Sequence, residues 1–175
     1  MPYTPIVGSL AYVLDRELDE VLLIRRDARP DDEHYGKVNG LGGKLEEDES
    51  VTANVRRELH EEAGIEVTSM TLRGTVSWPG FGTSGEDWLG FVFLVDGWTG
   101  TPPASNPEGT LEWVPRRRLL DACSPDEAVR NAADLPMWEG DRWFVPLVFD
   151  DDPRTFHGLM PYSEGRATSW TVERL

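Results

Sequence analysis

Three carboxylates, Glu58, Glu61 and Glu62, stand on a stretch whose apolar side chains recur every four residues, and that combination limits what the chain can become. Ser50 can cap the start of a helix, Gly64 suits the left-handed position past its end, and Val51, Val55 and Leu59 form one stripe between them. At about 100° per residue, with Val51 at zero, Val55 lies at about 40° and Leu59 at about 80°. Glu62 then falls at about 20°, inside the stripe, Glu58 at about −20°, on its edge, and Glu61 at about −80°. His60 projects to the far side and is expected in solvent. Acids placed beside a core lose water and repel one another, a cost that a cation relieves. All-oxygen donors of this kind suit Mg²⁺, or Mn²⁺, far better than zinc. The competing interpretation is an acidic surface helix paired with Arg56 and Arg57, and the residues around the helix decide between the two.

Elsewhere the chain is mostly strand. Ile6 to Leu14 and Val21 to Ile24 are apolar runs joined by a polar turn, which predicts a hairpin. Asp27 to Gly36 is a polar loop, and Asn39 to Gly43 holds three glycines that permit close backbone approach. Met70 to Trp78, Trp88 to Val95, Leu111 to Val114, Thr155 to Met160 and Thr168 to Val172 are candidate strands, with Trp98 to Gly109 a loop and Asp126 to Ala133 a short helix. Mixed strands with one strongly marked helix predict an α/β or α+β domain, and no linker divides residues 1–175.

Composition narrows the function. A chain of 175 residues fits one domain, and 39% hydrophobic with 28% charged residues belongs to a globular protein. Thirty-two acidic against 17 basic side chains leave a formal charge of −15, which offers no footprint for a nucleic-acid polymer. An anionic protein can still hold a phosphate when a divalent cation stands between them. Cys123 is the lone cysteine, so no intrachain disulfide forms, and a bland buried or partly buried thiol is expected. No apolar run approaches the roughly 20 residues of a membrane span, and the N-terminus lacks the pattern of a secretory signal. A cytoplasmic monomer without membrane contact is therefore expected.

From Gly43 onward the chain reads Gly-x5-Glu-x7-Arg-Glu-Leu-x-Glu-Glu-x-Gly-Ile, filled by Gly43, Glu49, Arg57, Glu58, Leu59, Glu61, Glu62, Gly64 and Ile65. Nine such coincidences arise by chance roughly once in 10⁸ starting positions. The pattern, residues 43–65, resembles the signature box of the Nudix hydrolase superfamily, whose members cleave a nucleoside diphosphate linked to another group. The resemblance implies an α/β/α sandwich with a mixed β-sheet and a loop–helix–loop catalytic element. It also implies that Glu58, Glu61 and Glu62 bind Mg²⁺ together with the Gly42 carbonyl and Glu108, and that Arg57 orients a helix carboxylate through Glu49. Gly43, Glu49 and Gly64 are the structural members. A diphosphate is densely anionic, so its charge must be neutralised before water can approach phosphorus. A nearby carboxylate then serves as general base; Glu58 is the first choice and Glu108 the alternative.

Two further stretches resemble the MutT-type branch, which hydrolyses oxidised nucleotides such as 8-oxo-dGTP to monophosphate and pyrophosphate and so sanitises the nucleotide pool for DNA repair. Gly36 to Leu45 matches the approach to the box, where an Asn at the place of Asn39 hydrogen-bonds the purine. Leu135 to Leu147 matches a segment in which a Trp, here Trp138, stacks on the base and two consecutive Asp residues read its edge. Only the second, Asp141, is present; Gly140 stands at the first, and Val38 replaces an aromatic before Asn39. Burial would raise the proton affinity of Asp141 and let it donate to the base. Arg25 and Lys44 complete the expected substrate-binding set, and a small nucleotide is the expected partner. His34 and His157 carry no functional signal. Pro79, 15 positions after Gly64, keeps open an ADP-ribose or dinucleoside polyphosphate pyrophosphatase of the same superfamily. A non-catalytic nucleotide-binding module is the remaining alternative, disfavoured by the intact carboxylates.

Overall fold

Strict alternation of buried side chains sets the centre of the sheet. In the computed structural model, which describes residues 1–175, β1 (Ile6–Asp15) sends Ala11 and Val13 to one face and Tyr12 and Leu14 to the other. β2 (Glu20–Arg25) does the same with Leu22 and Ile24 against Val21 and Leu23. Strands buried on both faces must lie between two layers, and they do. The remaining elements are β3 (Val38–Asn39), α1 (Val51–Ala63), β4 (Glu66–Trp78), β5 (Trp88–Thr99), β6 (Ser105–Asn106), β7 (Gly109–Pro115), α2 (Arg116–Ala122), α3 (Glu127–Ala133), α4 (Asp141–Phe149), β8 (Phe156–Leu159), β9 (Tyr162–Ser163), β10 (Arg166–Ala167) and β11 (Thr171–Arg174).

Nine strands form one mixed sheet in the order β11-β8-β4-β5-β1-β2-β7-β6, with β3 also paired to β2. The β1–β5 and β4–β8 pairs are parallel and the others antiparallel. One face packs against α1 through Val55, Leu59 and Ala63; the other packs against α2 and α4 through Leu119, Phe144, Val145 and Val148. The result is the expected α/β/α sandwich. No helix is long and apolar enough to cross a membrane.

The glycine-rich approach to α1 is laid directly along β1. Ser9 N–H donates to the Gly43 carbonyl at 2.9 Å, and Ala11 and Leu41 exchange backbone bonds in both directions. Ser50 caps α1, its hydroxyl accepting from Ala53 N–H, and Gly64 ends the helix at φ 63° with its N–H on the His60 carbonyl. Both ends are where the sequence puts them.

Other boundaries shift. β4 begins at Glu66, before Met70, and β5 runs on to Thr99; β6 interrupts the expected 98–109 loop, and β11 starts only at Thr171. Two helices have no sequence counterpart. α2 starts from Pro115 and α4 from Gly140, neither with a side-chain cap, and α4 also contains Pro146, which forfeits one helical hydrogen bond. Tertiary burial of Leu119, Phe144, Val145 and Val148 supplies the stability that local cues withhold.

Candidate active site

A cavity of about 640 Å³ opens over the junction of β1, the glycine-rich approach and α1, and its two ends differ in kind. At one end α1 presents Glu58 and Glu62, and the β6–β7 turn presents Glu108. Gly43 leaves room for Glu58: a Cβ here would lie 2.4 Å from its carboxylate oxygen and push that side chain from its position. Glu62 accepts from the Gly42 N–H at 2.9 Å. Burial pushes its carboxyl up to about 8, against the pull of that N–H and with Glu108 and Glu58 adding repulsion. Burial likewise raises Glu58, opposed by Arg57.

Arg57 organises this end. Its guanidinium grips Glu49 with two bonds, 2.7 and 3.0 Å, and reaches Glu58 at 2.9 Å and Glu61 at 3.3 Å. The paired geometry holds Glu49 down to about 2. Glu61 is exposed, engaged only with Arg57, and stands off the cavity wall. Glu108 is paired to Arg26 and, at 3.5 Å, to Arg29. In this arrangement no three carboxylates converge on a single point. The donors are nonetheless all oxygen, and the surroundings of Glu62 disfavour its charged form in a way a cation would relieve, so Glu58, Glu62 and Glu108 with the Gly42 carbonyl fit a hard divalent cation.

Asn106 was not anticipated and ties the two carboxylate elements together. Its amide donates to the Glu62 carbonyl at 3.0 Å while its oxygen accepts from the N–H groups of Glu108 and Gly109. Arg25 is a correction. It pairs with Glu112 of β7 and does not line the cavity. Its neighbour Arg26, one residue past the end of β2, lines the cavity instead and pairs with Glu108. Lys44 does line the cavity, with its ammonium over the Trp88 ring at 5.4 Å.

The other end is aromatic. Trp138 donates from its indole nitrogen to His34 Nδ1 at 2.8 Å and meets the Phe81 ring edge-on at 5.8 Å. Phe81 also packs on Tyr162 at 5.0 Å. Asn39 and Asp141 reach the same cavity, and no protein hydrogen bond is made by either side-chain head group. Burial lifts the Asp141 carboxyl to about 7, with Lys37 pulling it down. Lys37 also lies over the Trp138 ring at 5.3 Å. At Gly140 a Cβ would come within 2.4 Å of the Met160 sulfur and 2.5 Å of the Tyr162 hydroxyl, so a larger residue there would have to displace those two side chains. His34, Phe81 and Tyr162 carry no sequence signal, because they come from a polar loop, a glycine-flanked turn and a short hairpin. His157 bonds Thr75 away from the cavity, Cys123 is buried, and His60 faces solvent beside Glu66.

Comparison with known proteins identifies the family. The NUDIX domain pattern matches residues 4–147. The Nudix hydrolase YvcI of Bacillus subtilis is 31% identical over 149 residues, covering 83% of this chain and 80% of that protein. The oxidized purine nucleoside triphosphate hydrolase of Mus musculus is 33% identical over 113 residues, 65% of this chain and 63% of its own length. Among solved structures, a MutT protein from Bacillus halodurans superposes with a TM-score of 0.75 at 27% identity, covering 96% of this chain and 97% of that one. Family match, relatives and fold converge on one conclusion: the chain belongs to the Nudix family, and it is a hydrolase of pyrophosphate bonds in small nucleotide substrates, in a family that generally uses divalent metal ions.

Proposed function

We propose that this Nudix hydrolase cleaves oxidised purine nucleoside triphosphates between the α- and β-phosphates, with Mg²⁺ as its metal, releasing the monophosphate and pyrophosphate. The observation that carries the proposal is the single cavity that joins an all-oxygen acidic end to an aromatic end holding Asn39, Trp138 and Asp141. The name of the mouse relative supports the same substrate class.

A bound divalent cation neutralises the polyphosphate and makes water easier to deprotonate. The remaining work falls to the chain's own groups. Arg57 holds Glu58 in place, so that Glu58, or Glu108 across the cavity, can take a proton from the attacking water. One water is consumed: its oxygen joins phosphorus, the bridging P–O bond breaks, and pyrophosphate leaves. Trp138 offers a ring for the base, and Asn39 offers both a donor and an acceptor to its edge. Asp141, with its carboxyl near 7, is partly protonated at neutral pH and can donate to a carbonyl of the purine.

A turnover panel tests the proposal. With Mg²⁺ present, 8-oxo-dGTP and 8-oxo-GTP are expected to give higher kcat/KM than dGTP, GTP, ADP-ribose or a diadenosine polyphosphate, with pyrophosphate as co-product. Faster hydrolysis of ADP-ribose would replace the oxidised-purine reading with the dinucleotide one, and release of inorganic phosphate would move the cleaved bond.

A further inference from the structure

Asn54 is a polar side chain on the buried stripe of α1, where Val55, Leu59 and Ala63 are its buried companions, and it has no exposed surface. An amide in that position is costly unless every polar atom is met. All are met. Its oxygen accepts from the Ser9 hydroxyl of β1 at 2.5 Å, and its nitrogen donates to the Lys44 carbonyl and to a Glu49 carboxylate oxygen, both at 2.8 Å. That same Glu49 oxygen receives Arg57 at 2.7 Å and the Glu46 N–H at 2.9 Å. Ser9 is itself 8% exposed, and its N–H holds Gly43. One side chain therefore ties the central strand, the end of the glycine-rich approach and the acid that grips Arg57.

We infer that Asn54 is a positioning residue for hydrolysis: it fixes Glu49, and through Glu49 the Arg57 guanidinium that holds Glu58. An alanine at position 54 would keep the helix but leave the amide's volume empty, take one donor from the Glu49 oxygen, and leave the Lys44 carbonyl and the Ser9 hydroxyl without this partner. Arg57, which also pairs with Glu46, Glu58 and Glu61, would then face a Glu49 held by one donor fewer. The inference rests on the hydrolytic roles given above to Arg57 and Glu58, and it is independent of which base the enzyme prefers.

The test is a double-mutant cycle of N54A and E49A, measured on whichever nucleotide the wild-type enzyme turns over fastest, at saturating Mg²⁺. N54A is expected to lower kcat about tenfold, the usual scale for groups that orient a site through another residue, with KM for the nucleotide changed less than about twofold. Because Asn54 acts through Glu49, the double variant should be no slower than E49A alone. Circular dichroism melts confirm that each protein is folded at the assay temperature. Losses that multiply, or an unchanged kcat in N54A, overturn the inference. Should N54A not fold, Asn54→Ser, which keeps a hydroxyl near Ser9 and loses the amide donors, takes its place in the same cycle. An E49A that retains full activity would instead remove the role given to Arg57 and Glu58, which separates the two failures.

Discussion

The two ends of the cavity are held together by different forces. At the acidic end a contiguous run from Gly42 to Gly64 supplies most of the groups, and charge-assisted hydrogen bonds through Arg57 set their positions. At the aromatic end His34, Phe81, Trp138 and Tyr162 come from four separate segments and meet mainly through ring edges. Ionic geometry is directional and fails sharply when one partner goes, whereas ring contacts tolerate adjustment. On the proposed assignment the difference suits a hydrolase, since the aromatic end could be retuned for a different base while the acidic end keeps its geometry.

The sharpest way to break this contrast is Glu62→Gln. Removing one buried charge at constant shape should cut kcat by at least about a hundredfold, as groups around a catalytic metal commonly do, while the fold survives. Stability should even improve in chelator at pH 8. The folded-state value of about 8 lies above the ordinary 4.5, so between those pH values the folded protein binds a proton that the unfolded chain has lost, and stability falls as pH rises. A glutamine escapes that loss, and a melting temperature below wild type would contradict the assignment. Trp138→Ala should act more mildly and more evenly, raising KM for every nucleotide by about tenfold, within the 1–3 kcal/mol typical of base stacking. A loss confined to one base would show that Trp138 selects and does not merely support.

Asp141 offers a finer probe. Its carboxyl titrates at about 7, so the proton it donates is present below that pH and leaves as pH rises through it. KM for 8-oxo-dGTP should therefore climb between pH 6 and 8 in the wild type and stay flat in Asp141→Asn, which cannot titrate. Equal pH profiles would remove the proton from base recognition. The smallest effect is expected from His34→Ala. Losing one neutral hydrogen bond to Trp138 is worth about 1 kcal/mol, or about fivefold in KM, with kcat unaltered. A change in kcat would mean that the aromatic end reaches into the chemistry.

How far each end could be read from the amino acids follows from the same contrast. Ser50, Gly64 and the stripe of Val51, Val55 and Leu59 act within one helix, so their spacing is enough to place Glu58 and Glu62 on the cavity. The parallel pairing of β1 with β5 and the packing of Phe81 on Tyr162 join residues far apart in the chain, and no local period announces them. Arg25 shows a different failure: the pairing of β2 with β7 brings it to Glu112, a partner 87 positions along the chain that no local signal announces. In α4 the local cues point the wrong way, since Gly140 and Pro146 argue against a helix that burial of Phe144, Val145 and Val148 nevertheless maintains.

Arg73 turns that helix into a lever with a fixed pivot. Reaching from β4, its guanidinium donates to the Val148 carbonyl at 3.0 Å and to the Asp152 carbonyl at 2.8 Å, so the last turn of α4 is clamped while Asp141 rides at the first. Nine residues at 1.5 Å each make an arm of about 13 Å, and a tilt of about 5° at the clamp would carry Asp141 through about 1 Å. A displacement of that size is enough to spoil an aligned hydrogen bond. With Asp141 in the role proposed for it, accuracy at the base would be set at the opposite end of the rod, by a buried arginine.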